Sequence, residues 1–350
     1  MSADPPVAAV PRAGPPPVLL LTGSVALLTV SLATAVGIGS ARAGYGELLR
    51  AVAVRTGFTG VEPLPPLLDS LVWDLRVPRV LMAALVGAAL AVCGTVLQAV
   101  TRNALADPYL LGISSGASAG AAAVVVLGVG AGALGVSGGA LAGALVSFGV
   151  LVLLLRGGGG LDSARIVLVG VVVGQLFAAL MSLVLMAAGD ADTTRALTHW
   201  LLGSLAAARW DAVAVCAVVT LVGLGAARCC AGSLDALAFG ADTAASLGVD
   251  VRAVRRLLLV VTAVLTAVAV ASVGAIGFVG LIVPHGVRFL VGPRHRLLLP
   301  YSALAGAVFL VWTDALARVA FAPREVPVGV FTALVGVPLF LLVLRRRGQL

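Results

Sequence analysis

The chain has 350 residues, of which 61% are apolar and only 11% charged, against about half and about a quarter in soluble domains. With a mean hydropathy of +1.14 it has too little polar surface for a water-soluble globule, so it reads as an integral membrane protein rather than as two or three soluble domains. All 23 basic residues are arginine, which excludes both a Walker A loop, whose lysine holds the β/γ-phosphates, and a Schiff-base lysine.

Any dependence on ATP must therefore come from another chain. The net charge of +8 comes with only 5% aromatic residues and no basic cluster interleaved with them, so it marks membrane orientation and not nucleic-acid binding. Residues 1–17 hold six prolines and no basic stretch leading into a cleavable signal; they read as a disordered tail before a single membrane domain over 18–350.

A hydrocarbon core about 30 Å thick needs about 20 apolar residues per helix. The expected spans are Val18–Gly39, Val77–Ala99, Tyr109–Gly130, Gly138–Leu155, Ser163–Ala188, Ala212–Arg228, Leu257–Ala275, Gly277–Val291, Leu298–Arg318 and Pro327–Leu344. The eighth is short, contains Pro284, and reads either as a crossing or as a half-span. If the N-terminus is cytoplasmic, 14 of the 23 arginines, from Arg12 and Arg102 to Arg345–Arg347, fall on the inner side. That satisfies the positive-inside rule and puts both termini inside. Glycines recur every four residues at Gly112, Gly116 and Gly120 and again at Gly135, Gly139 and Gly143, the spacing that lets helices approach closely in lipid.

Several motifs invite chemistry. Gly112–Gly116 and Gly116–Gly120 both fit G-x-S-x-G and nominate Ser114 or Ser118 as a nucleophile, but a nucleophile elbow needs a strand-to-helix turn and these residues lie in an expected span. His199, His285 and His295 stand far apart, and Cys93, Cys216, Cys229 and Cys230 have no C-x-x-C spacing, so no metal site, disulfide or cofactor is expected. Asp314 is the carboxylate well inside a span. It reads as a structural partner of Arg318 at i+4 or as a proton relay.

The longest inner loop, about 229–256, is the most informative. Its pattern gives two short helices divided by Gly240 and closed by Gly248, with Asp242 at the start of the second and Arg252, Arg255 and Arg256 after it. Exposed leucine and alanine on such short helices call for a protein partner. A helix lying on the bilayer would carry arginine and large apolar residues along itself.

Five motifs in order then resemble one family. They are Arg76-Val77-Pro78-Arg79 before a Gly/Ala-rich span, the loop from Thr101 and Arg102 to Gly112, the stretch around Ala244–Val249, Gly274–His285 with Arg288, and Glu325–Gly329 with Thr332, Ala333, Gly336, Pro338 and Phe340. Together they resemble the permease subunits of type II ABC importers for iron chelates, haem and cobalamin. Ala104 stands where that family has proline, which bears on the stiffness of the loop.

The resemblance implies an all-α permease bundle of about ten transmembrane helices per subunit in the inner membrane, paired with a second permease. Two P-loop ATPase subunits would dock on the cytoplasmic face and a solute-binding protein on the outer face, with an iron–siderophore complex as the expected cargo. It assigns ATPase coupling to Phe239, Gly240, Asp242, Ala245, Ser246, Leu247, Gly248 and Val249. Docking of the binding protein falls to Arg76, Arg79 and Arg318; pairing with Asp74 or anchoring of a helix end is the competing reading of Arg76 and Arg79. The gate falls near Asp162, Ser163 and Ala164, with Gly174, Gln175 and Ser182 along the same helix; interhelical hydrogen bonding is the competing reading of Gln175 and Ser182. A secondary carrier driven by an ion gradient is the alternative function. It predicts intramembrane charge pairs and inverted repeats, and neither is evident in the sequence.

Overall fold

The computed structural model describes residues 17–39, 44–58, 60–127, 133–156, 161–188, 191–322 and 324–346. The expected tail lies outside these residues except for Pro17, which is not tail but the first residue of α1, Pro17–Gly37. Two short helices, α2 (Tyr45–Arg55) and α3 (Pro66–Ser70), lead through a π-helical turn, Leu71–Arg76, into α4, Val77–Val100. A 3-10 turn at Pro108–Leu111 precedes α5, Ile113–Leu127, followed by α6 (Ala133–Arg156), α7 (Ser163–Ala188) and the short α8 (Ala191–Leu201). Next come α9, Trp210–Cys229, the elbow helices α10 (Ala231–Ala238) and α11 (Ala241–Ser246), and α12, Val251–Val273. The chain ends with α13 (Val279–Val291), α14 (His295–Val319) and α15 (Val328–Arg346).

Seven described helices are long and apolar enough to cross a membrane, and three shorter apolar ones, α5, α13 and α15, make ten. These match the ten expected spans in order. The α13 helix has 13 residues, about 20 Å at 1.5 Å per residue, and so covers only part of a 30 Å core. Its first turn lies against the second half of α4, where a Cβ on Gly94 would stand 1.8 Å from the carbonyl oxygen of Gly280.

The most deeply buried span is α4. Lipid gives helices no hydrophobic drive to associate, so close backbone contact must do it. Gly87 meets Gly306 of α14 backbone to backbone, and Gly116 and Gly120 of α5 meet Gly143 and Gly139 of α6 in the same way. The glycine stripes read from sequence are therefore contact lines. Buried threonines bond within their own helices, Thr95 Oγ1 to Ala91 O at 2.8 Å and Thr266 Oγ1 to Thr262 O at 2.7 Å.

On the face opposite the elbow, Arg55 pairs with Asp69 at 2.7 Å and lies 4.4 Å from the ring centroid of Trp73, which in turn stands 4.9 Å from that of Trp210. Such amphipathic rings suit the membrane–water boundary.

Candidate functional site

The elbow between α9 and α12 is built as its sequence dictates. Gly240 has φ +119° and Gly248 φ +82°, backbone conformations that cost other residues about 1–2 kcal/mol. Ala236, Leu237 and Ala244 form the inner side, backed by Val249, Val251 and Val254. Asp242 lies in the first turn of α11, and Asp250 caps α12 by accepting from the Ala253 amide at 2.9 Å. The outer side presents Phe239, 76% exposed, and Leu247, 67% exposed, with Ala245 and Ser246 open beside them. Large apolar residues left uncovered side by side have the chemistry of an interaction surface.

Two contacts that sequence reasoning missed fix this elbow to the bundle. Asp235 of α10 accepts from the backbone amide of His295 at 2.8 Å and from its Nδ1 at 2.7 Å. At the start of α12, buried Arg255 donates to Leu161 O and to Ser163 Oγ, the latter at 3.2 Å. The partners lie 60 and about 90 residues apart, so no local pattern signals them.

The expected gate residues divide. Ser163 Oγ donates to Val100 O at 3.2 Å, tying the start of α7 to the end of α4, while Asp162 and Ala164 are exposed. Gly174 lies inward against Gly112, where a Cβ on Gly112 would come 2.7 Å from the Gly174 amide nitrogen. Gln175 and Ser182 both lie on the exposed side of α7, and the Ser182 hydroxyl bonds to Ala178 O of its own helix at 3.0 Å rather than to a neighbour.

The three expected docking arginines are engaged inside the subunit. Arg76 donates to Val36 O at 3.0 Å, and Arg318 donates to Ile38 O at 2.8 Å and Ala35 O at 3.0 Å. Two guanidiniums thus hold carbonyls in the last turn of α1, Ala35 and Val36, and that of Ile38 just beyond it, where the helix dipole favours cations. Arg79 pairs with Asp314 at 2.9 Å and with Glu325 at 2.8 Å. Asp314 also lies 3.2 Å from Arg318 Nε, the structural i+4 partner the sequence offered. The bond to Val36 O makes Arg76 an anchor of the end of α1. Exposure is low, 6% at Arg76 and 7% at Arg318.

Ser114 and Ser118 are buried on α5, and Ser118 Oγ donates to Ser114 O one turn back at 3.0 Å. This is helix geometry, not a nucleophile elbow. Among the described residues no three His, Cys, Asp or Glu side chains come together as a metal-binding group.

The profile of the FecCD transport family matches residues 27–346. The chain belongs to this family. It is 41% identical over 346 residues to the cobalamin import system permease protein BtuC of Halobacterium salinarum, covering 95% of this chain and 91% of that one. It is 42% identical over 288 residues to the hemin transport system permease protein HmuU of Yersinia pestis, covering 79% and 84%. In three dimensions it resembles an inward-facing ABC transporter described as of metal-chelate type, with TM-score 0.82 at 28% identity over 94% of this chain and 99% of that one. PsaBC of Streptococcus pneumoniae, at TM-score 0.53 and 19% identity over 77% and 90%, shares the fold alone. This FecCD-family chain is thus an all-helical, multi-pass permease subunit of the type II ABC importer class.

Proposed function

We propose that this permease is the membrane-spanning subunit of an ATP-driven importer of a bulky metal chelate in the cell's inner (plasma) membrane. The observation that carries this is the elbow. A chain with no Lys to hold nucleotide phosphates offers a rigid knob with Phe239 and Leu247 uncovered, which suits force delivered by a separate protein. Two P-loop ATPase subunits grip this knob through Phe239, Gly240, Asp242, Ala245, Ser246, Leu247, Gly248 and Val249. The elbow face is cytoplasmic, with both termini on it, because it carries the arginine excess.

On the opposite face a solute-binding protein docks. Arg79 is the arginine suited to exchange partners with an acidic residue of that protein, since its partner Glu325 is 51% exposed; Arg76 and Arg318 hold α1 in place beside it. The path runs between two permease subunits along Gln175 and Ser182 of α7, past Gly174, and is gated at Asp162, Ser163 and Ala164. Permeases named for cobalamin and hemin among the relatives favour cargo of that size and chemistry, and an iron–siderophore complex belongs to the same class.

The buried charges Arg79, Asp314 and Arg318 do not favour an ion-driven carrier. They sit at the ends of α4 and α14 rather than at the bilayer midplane, where coupling-ion sites lie.

The test is reconstitution of the permease in vesicles with its P-loop ATPase and binding protein, offering cobalamin, hemin and a ferric siderophore in turn. One of the three accumulates against its gradient only with ATP. Ala245→Glu, a charge on the knob, abolishes this uptake with insertion intact, and Arg79→Gln weakens binding-protein affinity and its salt dependence. Concentrative uptake from a proton or sodium gradient with no ATPase present overturns the proposal.

A further inference from the structure

Of the three arginines that follow the elbow, Arg252 and Arg256 are exposed and Arg255 is turned inward, 6% exposed. Its Nε is buried with no hydrogen-bond partner, and among the described residues no carboxylate lies within ion-pair distance of it. A buried cation without a direct ion pair is costly; the Asp162 carboxylate offsets part of that cost and Arg102 adds to it, and packing alone would be served better by leucine. Arg255 instead makes two directed contacts. One guanidinium nitrogen donates to Leu161 O and another to Ser163 Oγ, whose own proton goes to Val100 O.

These contacts run as a chain from α12 to the end of α4. From the elbow the chain passes Asp250, which caps α12, and reaches Arg255 about one turn later. Arg255 grips the turn at 161–163, and Ser163 grips the end of α4. Two residues beyond α4 stands Arg102, at φ +50°, a strained backbone for a side chain of this size. Its Nη1 lies 3.7 Å from the place a side chain on Gly240 would take, back at the elbow.

From this chain of contacts we infer that Arg255 is the positioning residue that carries movement of the ATPase-gripped elbow to the gate turn at Leu161–Ser163. The inference rests on the proposed function for its driving force. The geometry suits a guanidinium, whose planar fork presents separate nitrogens to the carbonyl and the hydroxyl.

The experiment uses the permease with its ATPase in nanodiscs, with Cys229 and Cys230 replaced by serine and spin labels introduced in pairs. One pair joins Ala253, on the first turn of α12, to Leu67 on the opposite face; the other joins Ala164, on the gate turn, to the same reference. Trapping nucleotide with vanadate shifts both distances in the otherwise unsubstituted complex. In Arg255→Ala the Ala253 distance still shifts and the Ala164 shift is lost, and Arg255→Lys restores part of it. Ser163→Ala, which removes the hydroxyl that accepts from Arg255 and donates to Val100 O and leaves the bond to Leu161 O, diminishes the Ala164 shift if Arg255→Ala does not assemble. A full Ala164 shift in these variants overturns the inference and leaves Arg255 a static anchor. No shift at either label before substitution overturns the ATP-driven reading, and the inference with it.

Discussion

Asp107, at the head of the 3-10 turn that starts the third span, is pulled two ways. Its Oδ1 accepts from the Tyr109 amide at 3.0 Å, which favours the carboxylate, while desolvation favours the acid and prevails, pushing the group up to about 6. The folded chain therefore binds this proton in a window where the unfolded chain, with an ordinary value of 3.8, does not. Stability rises as pH falls from about 7 to 5, and this gain is complete only near the unfolded value. Asp107→Asn keeps an acceptor for Tyr109 and has nothing to titrate, so its melting temperature in detergent equals or exceeds that of the parent at pH 7.5 and loses part of the slope between pH 5 and 7. Asp107→Ala loses the cap as well, about 1 kcal/mol. An unchanged slope in the asparagine variant refutes this account of Asp107.

Among elements, α14 joins the two faces of the molecule. Its 25 residues span about 37 Å at 1.5 Å per residue. At one end His295 is held by Asp235 of the elbow, and at the other Asp314 holds Arg79 while Arg318 holds Ala35 O at the end of α1. The His295 Nδ1 contact fits a proton on that nitrogen, with the buried Nε2 left without a partner. Asp235→Ala strips acceptors from two donors, which costs about 1–3 kcal/mol, and raises hydrogen exchange in the first turn of α14. Asp235→Asn retains an acceptor for the backbone amide and leaves that exchange near the parent value; equal exchange in the two variants sinks this role. These joints explain what the sequence could and could not disclose. The ends of α7, the division at Gly240 and the closure at Gly248 follow from local pattern, because glycine and hydrophobic length act within a few residues. Asp235–His295 and Arg79–Asp314 pair across 60 and 235 residues, so the sequence singled out Asp314 and Arg79 without joining them and passed over Asp235. Helices α2, α3 and α8 were missed because they are too short to register as spans.

The whole molecule leaves α1, α6, α7 and α9 largely uncovered, and acyl chains suit the leucines and valines on them. One residue does not fit that environment. Gln175 is the thirteenth of 26 residues in α7 and is exposed, so in a lone subunit its amide would face hydrocarbon at mid-depth, a cost of several kcal/mol. Water or a second copy of the chain must cover that side. Ser182 stands seven residues on, about 10 Å along the same face. With Cys229 and Cys230 replaced by serine, Ser182→Cys in native membranes therefore cross-links two copies of the permease through a short bifunctional thiol reagent. Leu153→Cys is the control, since Leu153 is 71% exposed on α6 in a groove it shares with Leu145, Phe148 and Val152 and, at the end of the helix, Arg156, where lipid suffices; it yields monomer under the same treatment. Dimer from Leu153→Cys and none from Ser182→Cys would put the partner on α6, and the cost at Gln175 would then have to be met by water alone.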